Sequence, residues 1–205
     1  MTAPSNSWNR FRYTLWAPGY NILAGYFRKK RRRSFELLGL RRGERVLLVG
    51  AGTGLDLDFV PPEVAVTAVD LTPAMLERLR RRARGLGLRV DSRIMDAQAL
   101  ELPDASFDAV VLHLIVAVVS DPSRCLAEAA RVLRPGGRAA ILDKFVSDRG
   151  RPPLILRVLD PLARVLATSI TRKLGPLLEG SGLRIVHEEA AGLRGLFRIA
   201  IVRKP

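Results

Sequence analysis

Three glycines at alternate positions, Gly50, Gly52 and Gly54, follow directly on the apolar run Val46-Leu47-Leu48-Val49. Such a loop lacks the side chains that would keep a flat, polar ligand off the main chain. Gly50, Ala51, Gly52 and Gly54 are therefore candidate ligand contacts. Asp70 closes a second apolar run about twenty residues on, the position from which a carboxylate accepts hydrogen bonds from a ribose diol. Leu71 and Met75, just beyond it, are grouped with the same site. A third run ends in Met95-Asp96-Ala97-Gln98, where Asp96, Ala97 and Gln98 suit an adenine amino group. A fourth ends in His113, a further ligand contact and the best-placed acceptor for a substrate proton, with Tyr20 second.

These groups need strands to carry them. The runs Val46–Val49, Val64–Val69, Leu88–Ile94, Phe107–Leu112 and Ala139–Leu142 read as strands. Helical spacing separates them: Leu55, Leu57, Phe59 and Val60 after the glycine loop, then Pro73 to Leu86, then Pro122 to Leu133, the last two with Pro at an early helical position. A hairpin pattern, Leu183 to Glu188 and Leu196 to Val202, comes last. Strands alternating with helices predict an α/β chain built on a mainly parallel sheet.

The glycine spacing discriminates between nucleotide sites. A dinucleotide fold wants G-x-G-x-x-G and a phosphate-cradling loop wants Gly-Lys-Ser/Thr; residues 50–54 give G-x-G-x-G. With Val49-Gly50-Ala51-Gly52-Thr53-Gly54, Val69-Asp70, Met95-Asp96-Ala97, Phe107-Asp108-Ala109-Val110 and Arg131-Val132-Leu133-Arg134-Pro135-Gly136-Gly137 in this order, the chain resembles the class I S-adenosylmethionine-dependent methyltransferases. The resemblance runs from about residue 20 to residue 145. It implies a Rossmann-like, seven-stranded sheet with helices on both faces, an S-adenosyl-L-methionine cofactor and no metal. Within that superfamily, Trp16-Ala17-Pro18-Gly19-Tyr20-Asn21, Gly52-Thr53-Gly54-Leu55-Asp56-Leu57 and the stretch from Val111 to Pro122 look like bacterial phospholipid N-methyltransferases. The stretch from Val111 to Pro122 is also close to ubiquinone/menaquinone C-methyltransferases, while the two upstream stretches lean towards the phospholipid branch. The first resemblance implies methylation of phosphatidylethanolamine towards phosphatidylcholine. A quinone or other small molecule is the alternative substrate, and an RNA-associated role is a third. Base-modifying enzymes carry an Asn/Asp-Pro-Pro-aromatic turn where this chain has His113-Leu114-Ile115-Val116, so nucleic acid is disfavoured as a partner.

The chain has 205 residues and a formal charge of +14, consistent with one α/β domain, expected to be monomeric. The single cysteine, Cys125, falls on an apolar-periodic helix and reads as packing. Met1 to Ser7 is polar and no apolar stretch follows, so no export signal is expected. Residues 1–40 are set apart as a helical lid, with a first helix near Trp8 to Trp16 and a second from about Tyr20 to Leu38; residues 41–205 form the catalytic domain. Arg28-Lys29-Lys30-Arg31-Arg32-Arg33 follows an aromatic-rich segment, a composition that lies in a membrane interface or else roofs the cofactor. Six such cations are worth at most about 6 kcal/mol at an anionic surface, so peripheral, salt-sensitive contact with the inner face of the cell membrane is expected of a cytoplasmic protein. Trp16, Tyr20 and Tyr26 are candidate cradles for a methylated ammonium, and Arg33 or Arg151 for a phosphodiester. The apolar stretch Pro153 to Ile170 reads as a helix against the sheet or the membrane.

Overall fold

A computed structural model describes residues 20–145, 172–192 and 195–205, with side chains from Tyr26 onward. In chain order the elements are α1 (Tyr20–Leu38), β1 (Arg45–Val49), a 3-10 helix (Leu55–Phe59), β2 (Ala65–Asp70), α2 (Pro73–Gly85) and β3 (Val90–Ile94). They continue with β4 (Phe107–His113), α3 (Pro122–Val132), β5 (Leu133–Lys144), α4 (Leu174–Leu178), β6 (Arg184–Gly192) and β7 (Phe197–Arg203). The expected helices near Trp8 to Trp16 and over Pro153 to Ile170, with Trp16 and Arg151, lie outside the described residues.

The strands form one sheet of order β3-β2-β1-β4-β5-β7-β6. The first five are parallel; β7 runs antiparallel between β5 and β6. Successive residues of a strand point to opposite faces, and burial on both faces makes the central strands continuously apolar. Leu47 and Val49 of β1 join Val110, Leu112 and Ile141 beneath α3 and α4. Val46 and Leu48 join Ala68, Val111 and Ala140 beneath α1 and α2.

Each helix shows why it sits where it does. In α2, Pro73 occupies the first turn, where a missing N–H goes unnoticed, and Met75, Leu76, Leu79 and Ala83 are buried along one stripe. Burying Leu76 or Leu79 contributes about 1.5–3 kcal/mol each. In α1, Phe27, Arg31, Ser34, Phe35 and Leu38 are buried, and Arg28, Lys29, Arg32 and Arg33 are exposed. Phe27 packs edge-on against Phe197 of β7, with ring centroids 4.8 Å apart. From Phe27 onward α1 is thus a layer of the catalytic fold, and the division at residue 40 does not separate two packing units.

The segment after the glycine loop departs from the expected helix. It makes a single 3-10 turn, because Val60, in an extended conformation, precedes Pro61-Pro62 and the chain cannot wind further. The fifth strand is longer than expected and takes in the Pro135-Gly136-Gly137 turn through a register shift against β4.

Candidate active site

Strand order reverses between β1 and β4, and ligands of open α/β sheets bind in the crevice beyond the carboxyl ends at such a point. The glycine loop leaves β1 there. Ala51 N–H donates to Val69 O (3.0 Å), and Gly52 N–H donates to Asp70 Oδ2 (2.9 Å). Thr72 N–H donates to Asp70 Oδ1 (2.8 Å). Each Asp70 oxygen thus accepts a backbone N–H, and the Thr72 hydroxyl is a further donor to the same carboxylate. Burial raises its pKa above the ordinary carboxylate value, against the pull of these N–H donors. A partly exposed carboxylate latched to the glycine loop fits a bound nucleoside. Leu71 lies half-buried at the same strand end, and Met75 is buried on α2.

Two of the three glycines are also demanded by packing. A Cβ on Gly50 (φ +64°) would lie 2.7 Å from Ile115 Cδ1. On Gly54 (φ +79°) it would lie 3.0 Å from Leu79 Cγ and 3.2 Å from Leu79 Cα, where the loop presses on α2. Packing therefore requires glycine at both positions on its own, and Ile115 lies directly against the loop at Gly50.

At the end of β3, Asp96 Oδ1 accepts from Gln98 N–H (2.9 Å) and Gln98 Nε2 (3.0 Å). Gln98 Oε1 accepts from Ser120 Oγ and Asp121 N–H, both at 2.7 Å. Both ends of the Gln98 amide are committed to tying β3 to the start of α3. Asp96 and Gln98 therefore form one bonded unit at the end of β3, with the Gln98 side chain engaged within the protein. Ala97 is buried in the core beneath α3.

His113 also differs from its expected role. Its side chain is 0% exposed. Nδ1 lies 2.7 Å from Asp56 Oδ1 and Nε2 lies 2.9 Å from Ser34 Oγ, and the ring stands edge-on to Phe35. Asp56 also pairs with Arg31 at 2.7 Å. Burial pushes the Asp56 carboxyl up, but the Arg31 charge and His113 outweigh it and hold it well below the usual range. An ionised Asp56 only accepts, so Nδ1 carries a proton and, in the neutral ring, Nε2 accepts from the Ser34 hydroxyl. A ring so enclosed positions the strand end; it is not open to a substrate proton. The sequence carried a signal for this network that the spacing argument missed. Arg31 falls four residues from both Phe27 and Phe35, on the buried stripe, and a buried charge requires a partner.

The substrate candidates are dispersed. Tyr20 opens α1, with its side chain outside the description. Tyr26 is 44% exposed, and Lys30 Nζ sits 3.4 Å from its ring centroid. Arg33 is engaged by Glu189 of β6 through two bonds, 2.9 and 3.1 Å, so it does not stand free for a phosphodiester. Beyond β4, Leu114 has φ +60°, a left-handed conformation that costs about 1–3 kcal/mol and persists only where the surroundings enforce it.

Comparison with known proteins adds to this geometry. A family model described as a methyltransferase domain matches residues 47–141. The phosphatidylethanolamine N-methyltransferase of Cereibacter sphaeroides is 34% identical over 187 residues, 90% of this chain and 92% of its own. The demethylmenaquinone methyltransferase of Tropheryma whipplei (strain Twist) is 37% identical over 145 residues, 67% of this chain and 59% of its own. Among solved structures, the cyclase SpnF superposes with a TM-score of 0.82 at 22% identity, covering 100% of this chain and 98% of that one. The last likeness concerns the fold alone.

Proposed function

Because the chain belongs to the S-adenosylmethionine-dependent methyltransferases, we propose that it N-methylates phosphatidylethanolamine and its methylated intermediates at an anionic membrane surface. The observation that carries this reading is the reach of the likeness to the Cereibacter sphaeroides enzyme. It spans nine-tenths of both chains, whereas the menaquinone relative matches 67% of this one.

The bound cofactor supplies an activated methyl carbon, so the protein has to align it with a nucleophile and exclude water. Asp70 takes the ribose hydroxyls, the glycine loop carries the methionine side, and Ile115 closes over Gly50. An ethanolamine ammonium titrates near a lysine, at about 10, so roughly one molecule in a thousand is neutral at pH 7. With His113 enclosed, the amine gives up its proton before it docks, and an apolar seat lowers its pKa and enlarges the neutral fraction. Methylated intermediates are cations that aromatic faces hold; Tyr26, which already accepts the Lys30 ammonium, is such a face.

The basic run contributes less to membrane contact than its six charges suggest. Arg31 is buried against Asp56, Arg33 is paired with Glu189, and Lys30 is held on the Tyr26 carbonyl and ring. Arg28, Lys29 and Arg32 remain on the open side of α1 and are worth about 3 kcal/mol, or about two decades in binding constant. No helix among the described residues is long and apolar enough to cross a membrane.

Incubation with radiolabelled methyl donor, total lipid extract, a demethylated quinone and RNA tests the proposal. Label is expected in mono-, di- and trimethylated phosphatidylethanolamine. Label in the quinone instead would replace this reading with the C-methyltransferase one, which the menaquinone relative favours; label in RNA would remove both.

A further inference from the structure

The loop between β4 and α3 carries an unusual load. Val116, Ala117 and Val119 are buried, so their backbone groups need partners inside the protein. Leu114 N–H donates to Leu142 O of β5 at 2.8 Å, and Val118 and Val119 N–H fold back on Ile115 O. The other contacts come from two charged side chains distant in sequence. Asp143 Oδ2 accepts from Ala117 N–H at 2.9 Å, and its Oδ1 accepts from Lys144 N–H at 2.8 Å. Arg172, on the segment leading into α4, donates to Val116 O and, at 3.1 Å, to Val119 O. Asp143 is 1% exposed, so a carboxylate has been buried beneath the crevice to hold two amides.

Just before these anchors Leu114 is left-handed, and the Ile115 side chain lies on Gly50. We propose that Asp143, with Arg172, is a positioning residue of the donor site: pinning the loop from both sides holds Ile115 over Gly50 and so sets the affinity for the methyl donor. The inference rests on the donor lying on residues 50–54.

A purely architectural role and this one differ in what Asp143→Asn does. Burial pushes the Asp143 carboxyl up to about 6, so its ionised form works against folding at neutral pH. An amide relieves that cost, but turns an NH2 towards one of the two facing N–H donors and loosens the loop. D143N is therefore expected to melt at the wild-type temperature or above it, while binding S-adenosylhomocysteine about tenfold more weakly by calorimetry at pH 7.5. Equal affinity would overturn the proposal, and so would a parallel loss of affinity and melting temperature.

A second measurement uses the wild-type chain without ligand. Lys144 on the same strand, Arg172 from the α4 side and Cys125 of α3 face Asp143, and burial pushes the Cys125 thiol up to about 12, so it stays neutral. Lowering the pH from 7.5 to 5.5 protonates Asp143 and removes an acceptor. Hydrogen exchange, corrected for intrinsic rates, should then show lost protection at Ala117; unchanged protection would count against the pinning. Asp70 also titrates upward but is common to wild type and D143N, so their difference isolates Asp143. If the wild type itself fails to bind, the donor-site reading falls. If it binds and D143N binds equally, only the positioning role falls.

Discussion

Arg31 of α1 and Asp56 of the 3-10 turn meet at 2.7 Å, each side chain 6% exposed, two residues beyond the glycine loop. Removing one partner strands the other charge in the interior. R31M is expected to cost about 3–5 kcal/mol in urea unfolding, and R31M with D56N less than R31M alone. Since Asp56 sits below the ordinary carboxylate range, its contribution is complete above the unfolded value of about 3.9 and fades only as pH falls through the lower folded value. Acidification from pH 7 to 5 should leave this pair intact.

Glycine substitutions separate backbone strain from crowding. Gly43 (φ +81°) has open space around a would-be Cβ, while Gly54 (φ +79°) has Leu79. G43A should lose about 1–2 kcal/mol, the left-handed cost for an L-residue. G54A carries that cost and overpacking of about 1–3 kcal/mol besides. Urea midpoints of the two variants order the effects; equal losses would mean that α2 yields freely to the loop.

His113 should behave as a structural group in kinetics. H113Q is expected to lower the melting temperature while the rise of kcat/KM with pH, from 7 towards 9, keeps its wild-type slope, because that slope reports deprotonation of the substrate amine. Loss of the pH dependence in H113Q would restore the imidazole to a proton-transfer role.

Asp70 is expected to act chiefly on donor binding, both directly and through the glycine loop it latches. D70N should weaken S-adenosylhomocysteine binding by at least about tenfold, with the melting temperature unchanged or raised, since burial disfavours its ionised form. The raised pKa also means that donor affinity declines at a higher pH than an ordinary aspartate would impose. Calorimetry from pH 7.5 to 5 checks both.

Membrane contact is testable on three side chains. Replacing Arg28, Lys29 and Arg32 by Gln should lower affinity for anionic liposomes by about two decades and remove most of its salt dependence. Neutral and anionic liposomes bound equally well by the wild type would end the electrostatic reading.

Much of this was legible in the residues. The apolar runs mark five of the strands, β1, β2, β3, β4 and β7, to within two residues, and Asp70 stands at the strand end its spacing implies. Function at the side-chain level was less accessible, because it depends on which face a residue takes. The six-cation run reads as a uniform patch, but winding it into α1 turns Arg31 inward and gives Arg33 to Glu189, 156 residues away. His113 reads as an open base only while Ser34 and Asp56 are unknown neighbours. Asp143 carries no local signal at all; its partners come from Ala117 and from the strand's own next amide.

The placement of β7 between β5 and β6 has a consequence for refolding. Among the described strands β6 pairs with β7 alone, so residues 184–192 gain a place in the sheet only through residues 197–203 docked on β5. Until that hairpin closes, both stretches are unsatisfied ribbons open to strangers. Dilution out of denaturant at high protein concentration would thus be most hazardous at this edge, where a second copy could zip on instead.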